Sequence, residues 1–131
     1  MKKRQKLVSI ILNCYNGEKY LKDSLLSIKN QTYKNWELIF WDNRSSDNSK
    51  KILKSLKMKN VRYFFSKKHT SLYKARNLAL KKAKGEFIGF IDADDMWQKN
   101  KIKNQIDFFK EKNTAVVYGN SILKNENNNQ S

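Results

Sequence analysis

Short apolar runs alternate along this chain with stretches whose apolar residues recur at helical spacing. Leu7–Leu12 is a short apolar run of the kind that forms a buried strand. It ends in Asn13-Cys14-Tyr15-Asn16-Gly17, a turn signal. Tyr20, Leu21, Leu25 and Ile28 then predict a helix, with Asn16 available to cap it. Trp36–Trp41, interrupted only by Glu37, predicts a second strand that stops at Asp42-Asn43-Arg44-Ser45-Ser46-Asp47. Ser46 or Asp47 is placed to cap the next helix, which has Ile52, Leu53 and Leu56 on one face and Lys50, Lys54 and Lys57 on the other. Val61–Phe65 predicts a third strand. Leu72, Ala75, Leu78, Ala79 and Ala83 predict a third helix, with Gly85 as its stop. Phe87–Ile91 predicts a fourth strand, Ile102, Ile106 and Phe109 a fourth helix, and Thr114–Tyr118 a fifth strand.

Strict alternation of short buried strands with helices predicts an α/β fold: a Rossmann-like, mainly parallel sheet with helices on both faces. Crossovers in such sheets are right-handed. Ligands bind beyond the carboxyl ends of the strands. The polar clusters Asn13–Asn16, Asp42–Asp47 and Asp92–Asp95 follow strands one, two and four, so they fall on one edge.

Composition adds limits. The chain has 131 residues, 39% hydrophobic and 12% aromatic, enough for one globular core. No apolar run approaches the ~20 residues that span a bilayer. The basic start Met1–Lys6 leads into a run that Asn13 and Asn16 interrupt too early for a signal peptide, so a cytoplasmic location is expected. Cys14 is the only cysteine, which excludes an intrachain disulfide. Residues 1–6 read as a basic arm, 7–123 as the domain, and 124–131 as a polar disordered tail. The 28 Lys and Arg against 12 Asp and Glu give a charge of +16, which attracts polyanions or simply solvates the surface. Lysine dominates over arginine, so specific nucleic-acid reading is not expected, while attraction to an anionic membrane stays open.

The acidic cluster is the sharpest chemical feature. Asp92, Asp94 and Asp95 directly follow a hydrophobic strand and repel one another unless a cation or arginine neutralises them. Asp-x-Asp supplies two carboxylates near one point, as Mg²⁺ takes them together with substrate phosphates. The bland alternative is a polar turn with Asp95 as a helix cap. Asp42 either accepts hydrogen bonds from a ribose or base or only orders its turn. Arg76 either anchors a phosphate, pairs with the cluster, or is an exposed helix arginine. His69 reads as a solvated loop residue and Cys14 as a packing residue without a base beside it. No G-x-G-x-x-G follows the first strand and no G-K-[ST] occurs, which argues against dinucleotide oxidoreductases and P-loop NTPases.

Several stretches taken together resemble the family 2 glycosyltransferases of the GT-A fold. They are Val8–Asn16, Ser27–Ile39, Trp41–Ser49, Lys74–Ala79 and Ala83–Asp95, in that order and spacing. The resemblance covers roughly residues 7 to 120. It implies that Asn13, Tyr15 and Asn16 line a base pocket, that Asp42 and Asn43 contact base and ribose, and that Arg76 lies near the nucleotide. It implies that Asp92 faces ribose or metal and that Asp94 binds Mg²⁺ or Mn²⁺ on the diphosphate of a UDP-, dTDP- or GDP-sugar. The sugar would pass with inversion to an acceptor hydroxyl, on a glycan or lipid-linked sugar, at the inner face of the membrane. Many members carry an acid where this chain has Asn43. Members also continue through an acceptor segment that this chain is expected to lack, so a partner chain supplying it is one expectation, and no catalytic base is assigned. The competing reading is a basic module for nucleic acid or anionic membrane with a structural acidic turn. A nucleotidyltransferase is less favoured, because no glycine- and basic-rich triphosphate loop follows strand one.

Overall fold

The computed structural model describes residues 4–111 and 113–123. The predicted tail 124–131 and the first three residues of the basic arm lie outside the described residues. Eight elements alternate: β1 Val8–Cys14, α1 Glu18–Lys29, β2 Trp36–Asp42, α2 Ser49–Ser55, β3 Val61–Phe65, α3 Leu72–Leu80, β4 Phe87–Asp92 and α4 Lys101–Phe108. The strands form one parallel sheet in the order β3-β2-β1-β4.

Strand periodicity divides the core. Val8, Ile10, Leu12 and Cys14 of β1 and Leu38 and Phe40 of β2 face α1, α2 and α4, where Leu21, Leu25, Ile28, Leu53 and Ile102 meet them. The alternate residues Ile11, Ile39 and Trp41 face α3 and pack on Ala75 and Ala79. The small alanines let α3 lie close over the sheet. Burial of each large aliphatic side chain contributes about 1.5–3 kcal/mol.

Polar contacts fix both ends of the sheet. At the amino end, Glu37 Oε1 accepts from Ser9 Oγ (2.6 Å) and the Lys84 N–H (2.8 Å), and Oε2 accepts from Arg62 (3.2 Å). Burial alone would raise the pKa of Glu37, but these hydrogen bonds outweigh it and hold the carboxylate below its ordinary value. The Gly85 N–H donates to the same Ser9 Oγ at 2.7 Å. A Cβ at Gly85 would come within 2.6 Å of the Ser9 nitrogen, so only glycine fits there. Gly85 is therefore not the stop of the third helix. That helix ends at Leu80, short of Ala83, and Gly85 admits the chain beside β1.

At the carboxyl end, the first two helices begin on each other's acids. Asp47 Oδ2 accepts the Glu18 N–H (3.0 Å), and Glu18 Oε2 accepts the Asn48 N–H (3.0 Å). Asp47 Oδ1 also accepts the Ser49 N–H at 3.0 Å. Asp47 thus serves the start of α2 as expected, although Asn48 occupies the cap position. Asn16 does not cap α1. It adopts φ 48° with Gly17 at the cap, and its Oδ1 accepts the Ser46 N–H at 2.8 Å. Nor does Asp95 cap α4, which starts from Asn100. Lys57 leaves the predicted face of α2, because the helix stops at Ser55 and Lys57 takes φ 46°.

The expected fifth strand does not form. Residues 114–123 have no regular structure, and Val116 and Tyr118 are exposed. An apolar run without a face to bury against has no reason to extend. The outer edge of β4 is unpaired among the described strands, and Ile88 and Phe90 stand exposed on its α3 side.

Replacing Glu37 with Ala strands Ser9, Arg62 and the Lys84 N–H at once and should cost about 2–4 kcal/mol in urea unfolding. The lowered pKa values of Glu37 and Asp47 also set a direction with pH. Their contribution is complete above the ordinary carboxylate value and is lost as pH falls through the depressed folded-state values. Glu37→Gln should flatten that acid limb.

Candidate functional site

The parallel register places the polar turns side by side. Across the ladders Cys14 pairs with Asp42, and Asn13 pairs with both Trp41 and Asp92. Asn13 and Asp92 lie on the α3 face, and Arg76 reaches from α3 to Asp92 at 2.6 Å. The expected sites after strands one, two and four do converge on one edge, but the side chains at that edge have different jobs.

Asp42 is buried, at 1% exposure. Its Oδ1 accepts the Ser45 N–H (2.7 Å) and its Oδ2 accepts the Tyr63 hydroxyl (2.7 Å). Burial and then the Asp42 carboxylate push the Tyr63 phenol well above its ordinary pKa, so the hydroxyl stays a donor. Asn43 is also buried and pairs with the backbone of Thr70: Nδ2 donates to the Thr70 carbonyl (2.8 Å) and Oδ1 accepts the Thr70 N–H (3.0 Å). Asn16 is committed to Ser46, and its own N–H donates to Ser45 Oγ at 2.9 Å. These three residues hold turns together in the ligand-free chain. Cys14 is buried below them, and burial raises its thiol pKa, as fits a packing residue.

Between the turns lies a cleft of about 290 Å³, lined by Asn13, Cys14, Tyr15, Asn43, His69, Thr70, Ser71, Leu72 and Ala75. Tyr15 is exposed, and its ring meets the His69 imidazole at 4.3 Å. His69 is an exposed loop residue, as expected, and its ring also forms part of the cleft wall. Asn13 Nδ2 is buried with no hydrogen-bond partner among the described residues, an unspent donor beside this cleft.

Next to the cleft, ligand oxygens of Asp92, Asp94 and Asp95 lie within 4.8 Å of one another. Asp94 and Asp95 are exposed, while Asp92 is partly covered and held by Arg76. The Asp95 pKa is raised, first by burial of its carboxyl and then by Asp92 and Asp94. Three crowded hard-oxygen donors with one basic neighbour fit a divalent cation. Asp95 joins the Asp92 and Asp94 expected from the sequence. The backbone under the cluster is fixed from α1: Ser24 Oγ donates to the Asp92 carbonyl (3.2 Å). Fully buried Gln31 donates to the Gln98 carbonyl (2.8 Å) and accepts the Ile102 N–H (3.2 Å). Sequence reading overlooked Gln31 as a support, and its only signal was a polar residue closing an apolar helix.

The family model for glycosyl transferase family 2 matches residues 9–131. The chain belongs to that family. Among family 2 relatives, the Escherichia coli UDP-Glc:alpha-D-GlcNAc-diphosphoundecaprenol beta-1,3-glucosyltransferase WfgD is 39% identical over 92% of this chain and 48% of its own length. The Bacillus subtilis putative teichuronic acid biosynthesis glycosyltransferase TuaG is 32% identical over 86% of this chain and 45% of its own. The chain thus spans about half the length of these family 2 relatives. The structure of S. aureus TarS 1–349 in complex with UDP superposes with TM-score 0.74 at 32% identity, over 79% of this chain and 32% of that one. The Pyrobaculum calidifontis mannosyltransferase PcManGT, in complex with GDP-Man and Mn²⁺, shares the fold with TM-score 0.74 at 21% identity, over 80% of this chain and 32% of that one. The fold is therefore the GT-A glycosyltransferase type, and the Asp92–Asp95 cluster fits its DXD motif. These matches do not favour the reading as a basic module with a merely structural acidic turn.

A cation that binds only the folded chain stabilises it in proportion to occupancy, by about 2.7 kcal/mol at a hundredfold excess over its Kd. Mn²⁺ titration should raise the Tm of the wild-type chain and leave Asp94→Ala unmoved. At neutral pH without metal, Asp95→Asn should be slightly more stable than wild type. The raised carboxyl stabilises the fold only at low pH, and that stability is lost as pH rises through its folded-state value.

Proposed function

We propose that residues 7–123 bind a nucleoside-diphosphate sugar at the carboxyl edge of the sheet, for transfer of the sugar to an acceptor hydroxyl with inversion. The observation that carries this is adjacency. Asn13 lines the cleft and pairs across the ladder with Asp92 of the acidic cluster. A base in the cleft therefore puts its diphosphate at the carboxylates. Tyr15 offers the base a ring, and Asn13 Nδ2 offers a donor. Asp94 and Asp95, with Asp92, would hold Mg²⁺ or Mn²⁺, which neutralises the charge gathered on a leaving diphosphate. Arg76 is within reach of the same anion when it turns from Asp92. Among the turn residues, Asp42, Asn43 and Asn16 support the pocket by holding its walls. No catalytic base is assigned.

The acceptor is proposed to be a glycan or lipid-linked sugar, in keeping with the substrate in the name of the E. coli relative. The uncovered flank of the site supports a further contribution. Ile88 and Phe90 on β4 and Tyr73 and Leu80 on α3 are exposed. A groove of about 300 Å³ between β4 and α3 is lined by Tyr73, Arg76, Asn77, Leu80 and Phe90. We infer that polypeptide equivalent to the second half of the relatives, in the same or a partner chain, covers this face and forms the acceptor side.

The proposed location is cytoplasmic, at the inner face of the membrane. No helix among the described residues is long and apolar enough to cross a bilayer. The charge of +16, with Lys50, Lys51 and Lys54 exposed on α2, supports attachment to anionic lipid. Specific nucleic-acid binding is not proposed.

Calorimetry should detect UDP, dTDP or GDP binding that requires Mn²⁺ and disappears in Asp94→Ala. Absence of heat with all three, in folded protein, would overturn the reading. Co-sedimentation with phosphatidylglycerol vesicles should fall steeply with salt and be indifferent to Asp94→Ala. Retention on neutral phosphatidylcholine vesicles alone would count against the electrostatic attachment.

A further inference from the structure

We propose that His69, and not Asn43, reads the base edge of the nucleotide, selecting bases that carry a ring N–H. This rests on the nucleotide reading of the cleft given above. The first ground is that the Asn43 side chain is already spent. Its Oδ1 accepts the Thr70 N–H (3.0 Å) and its Nδ2 donates to the Thr70 carbonyl (2.8 Å), while the single Thr70 hydroxyl proton is shared between Asn43 Oδ1 (3.4 Å) and the nearer Ser71 carbonyl (3.2 Å). The residue is 6% exposed, and both ends of its amide are engaged by the Thr70 backbone rather than offered to a ligand. Asn43 is a positioning residue: it clamps residues 69–71 as one wall of the cleft. Arg44 assists by donating to the carbonyls of Ser66 and Lys67, both at 3.2 Å.

The second ground is the tautomer that this clamp imposes. His69 Nδ1 lies 3.0 Å from the Asn43 carbonyl oxygen. A carbonyl only accepts, so Nδ1 carries the hydrogen, and the neutral ring keeps Nε2 as a bare acceptor. Nε2 has no hydrogen-bond partner among the described residues, and the imidazole lines the cleft against Tyr15. Uracil, thymine and guanine present a ring N–H to such an acceptor. Cytosine and adenine present a bare ring nitrogen at the matching position, and two acceptors facing each other leave both unsatisfied. Asn43 supplies the tautomer and His69 supplies the discrimination.

The test is calorimetry at pH 8 with Mn²⁺, using UDP, CDP and inorganic pyrophosphate as probes. Wild type should bind UDP about tenfold more tightly than CDP, the value of one hydrogen bond gained rather than lost. His69→Phe keeps a ring against Tyr15 but removes the acceptor. It should erase the UDP preference and leave pyrophosphate binding unchanged, and His69→Ala should erase the preference as well. Asn43→Asp should weaken UDP and CDP equally and speed amide exchange over residues 66–71. If both His69 variants keep the UDP preference, or if Asn43→Asp changes the preference without faster exchange, the proposal is wrong. If wild type binds none of the nucleotides with Mn²⁺, the nucleotide reading of the cleft fails, an outcome distinct from an unchanged preference in the His69 variants.

Discussion

The structure depends on the register of β1 between its two neighbours. β1 is paired along its length with β2 on one side and β4 on the other, all running the same way. Because side chains alternate, one register sets both the core and the site. Val8, Ile10, Leu12 and Cys14 go to the α1 layer, and Ile11 and Asn13 go to the α3 side. A slip of one residue would expose the first set and remove Asn13 from Asp92 and Arg76. The apolar pattern that selects the register is therefore also what brings the polar turns to one level.

Above that level, the edge sorts its polar groups into two kinds. Some are consumed internally: Asp42 by Ser45 and Tyr63, Asn43 by Thr70, Asn16 by Ser46, and Asp47 with Glu18 at the two helix starts. Others are left unspent: the carboxylates of Asp94 and Asp95 and the donor of Asn13. The first kind gives the second its geometry. A ligand meets a surface whose turns are already tied, so little ordering entropy is left for binding to oppose.

Much of this was legible in the chain. The four strands stood out as apolar runs, and the alternation with helices gave the parallel sheet and its ligand edge. Asp92, Asp94 and Arg76 were recognisable because carboxylates after a buried strand need neutralising. The roles of Asn16, Asp42 and Asn43 were not legible, since Asn and Asp serve turns and ligands with the same atoms. Only the position of Thr70, Ser45 and Tyr63 decides between them, and these partners are distant in sequence from the turns they satisfy, apart from Ser45. Gly85 looked like a helix stop because its neighbour in space, Ser9, is 76 positions away. Thr114–Tyr118 has the texture of a strand, but texture cannot say whether a surface exists for it to bury against.

The Glu37 network joins the amino ends of three strands and the loop entering β4, while the cleft and the carboxylates occupy the opposite ends. The charge that secures the sheet is thus separated from the groups that would meet a ligand by the full length of the strands. That separation has an evolutionary consequence. Substitutions at the exposed positions of the cleft wall, Tyr15, His69 and Leu72, could drift and be sampled, altering which donor is accepted, without drawing on the interactions that keep the chain folded. A scaffold arranged this way is suited to diversification of specificity by changes at a few loop positions.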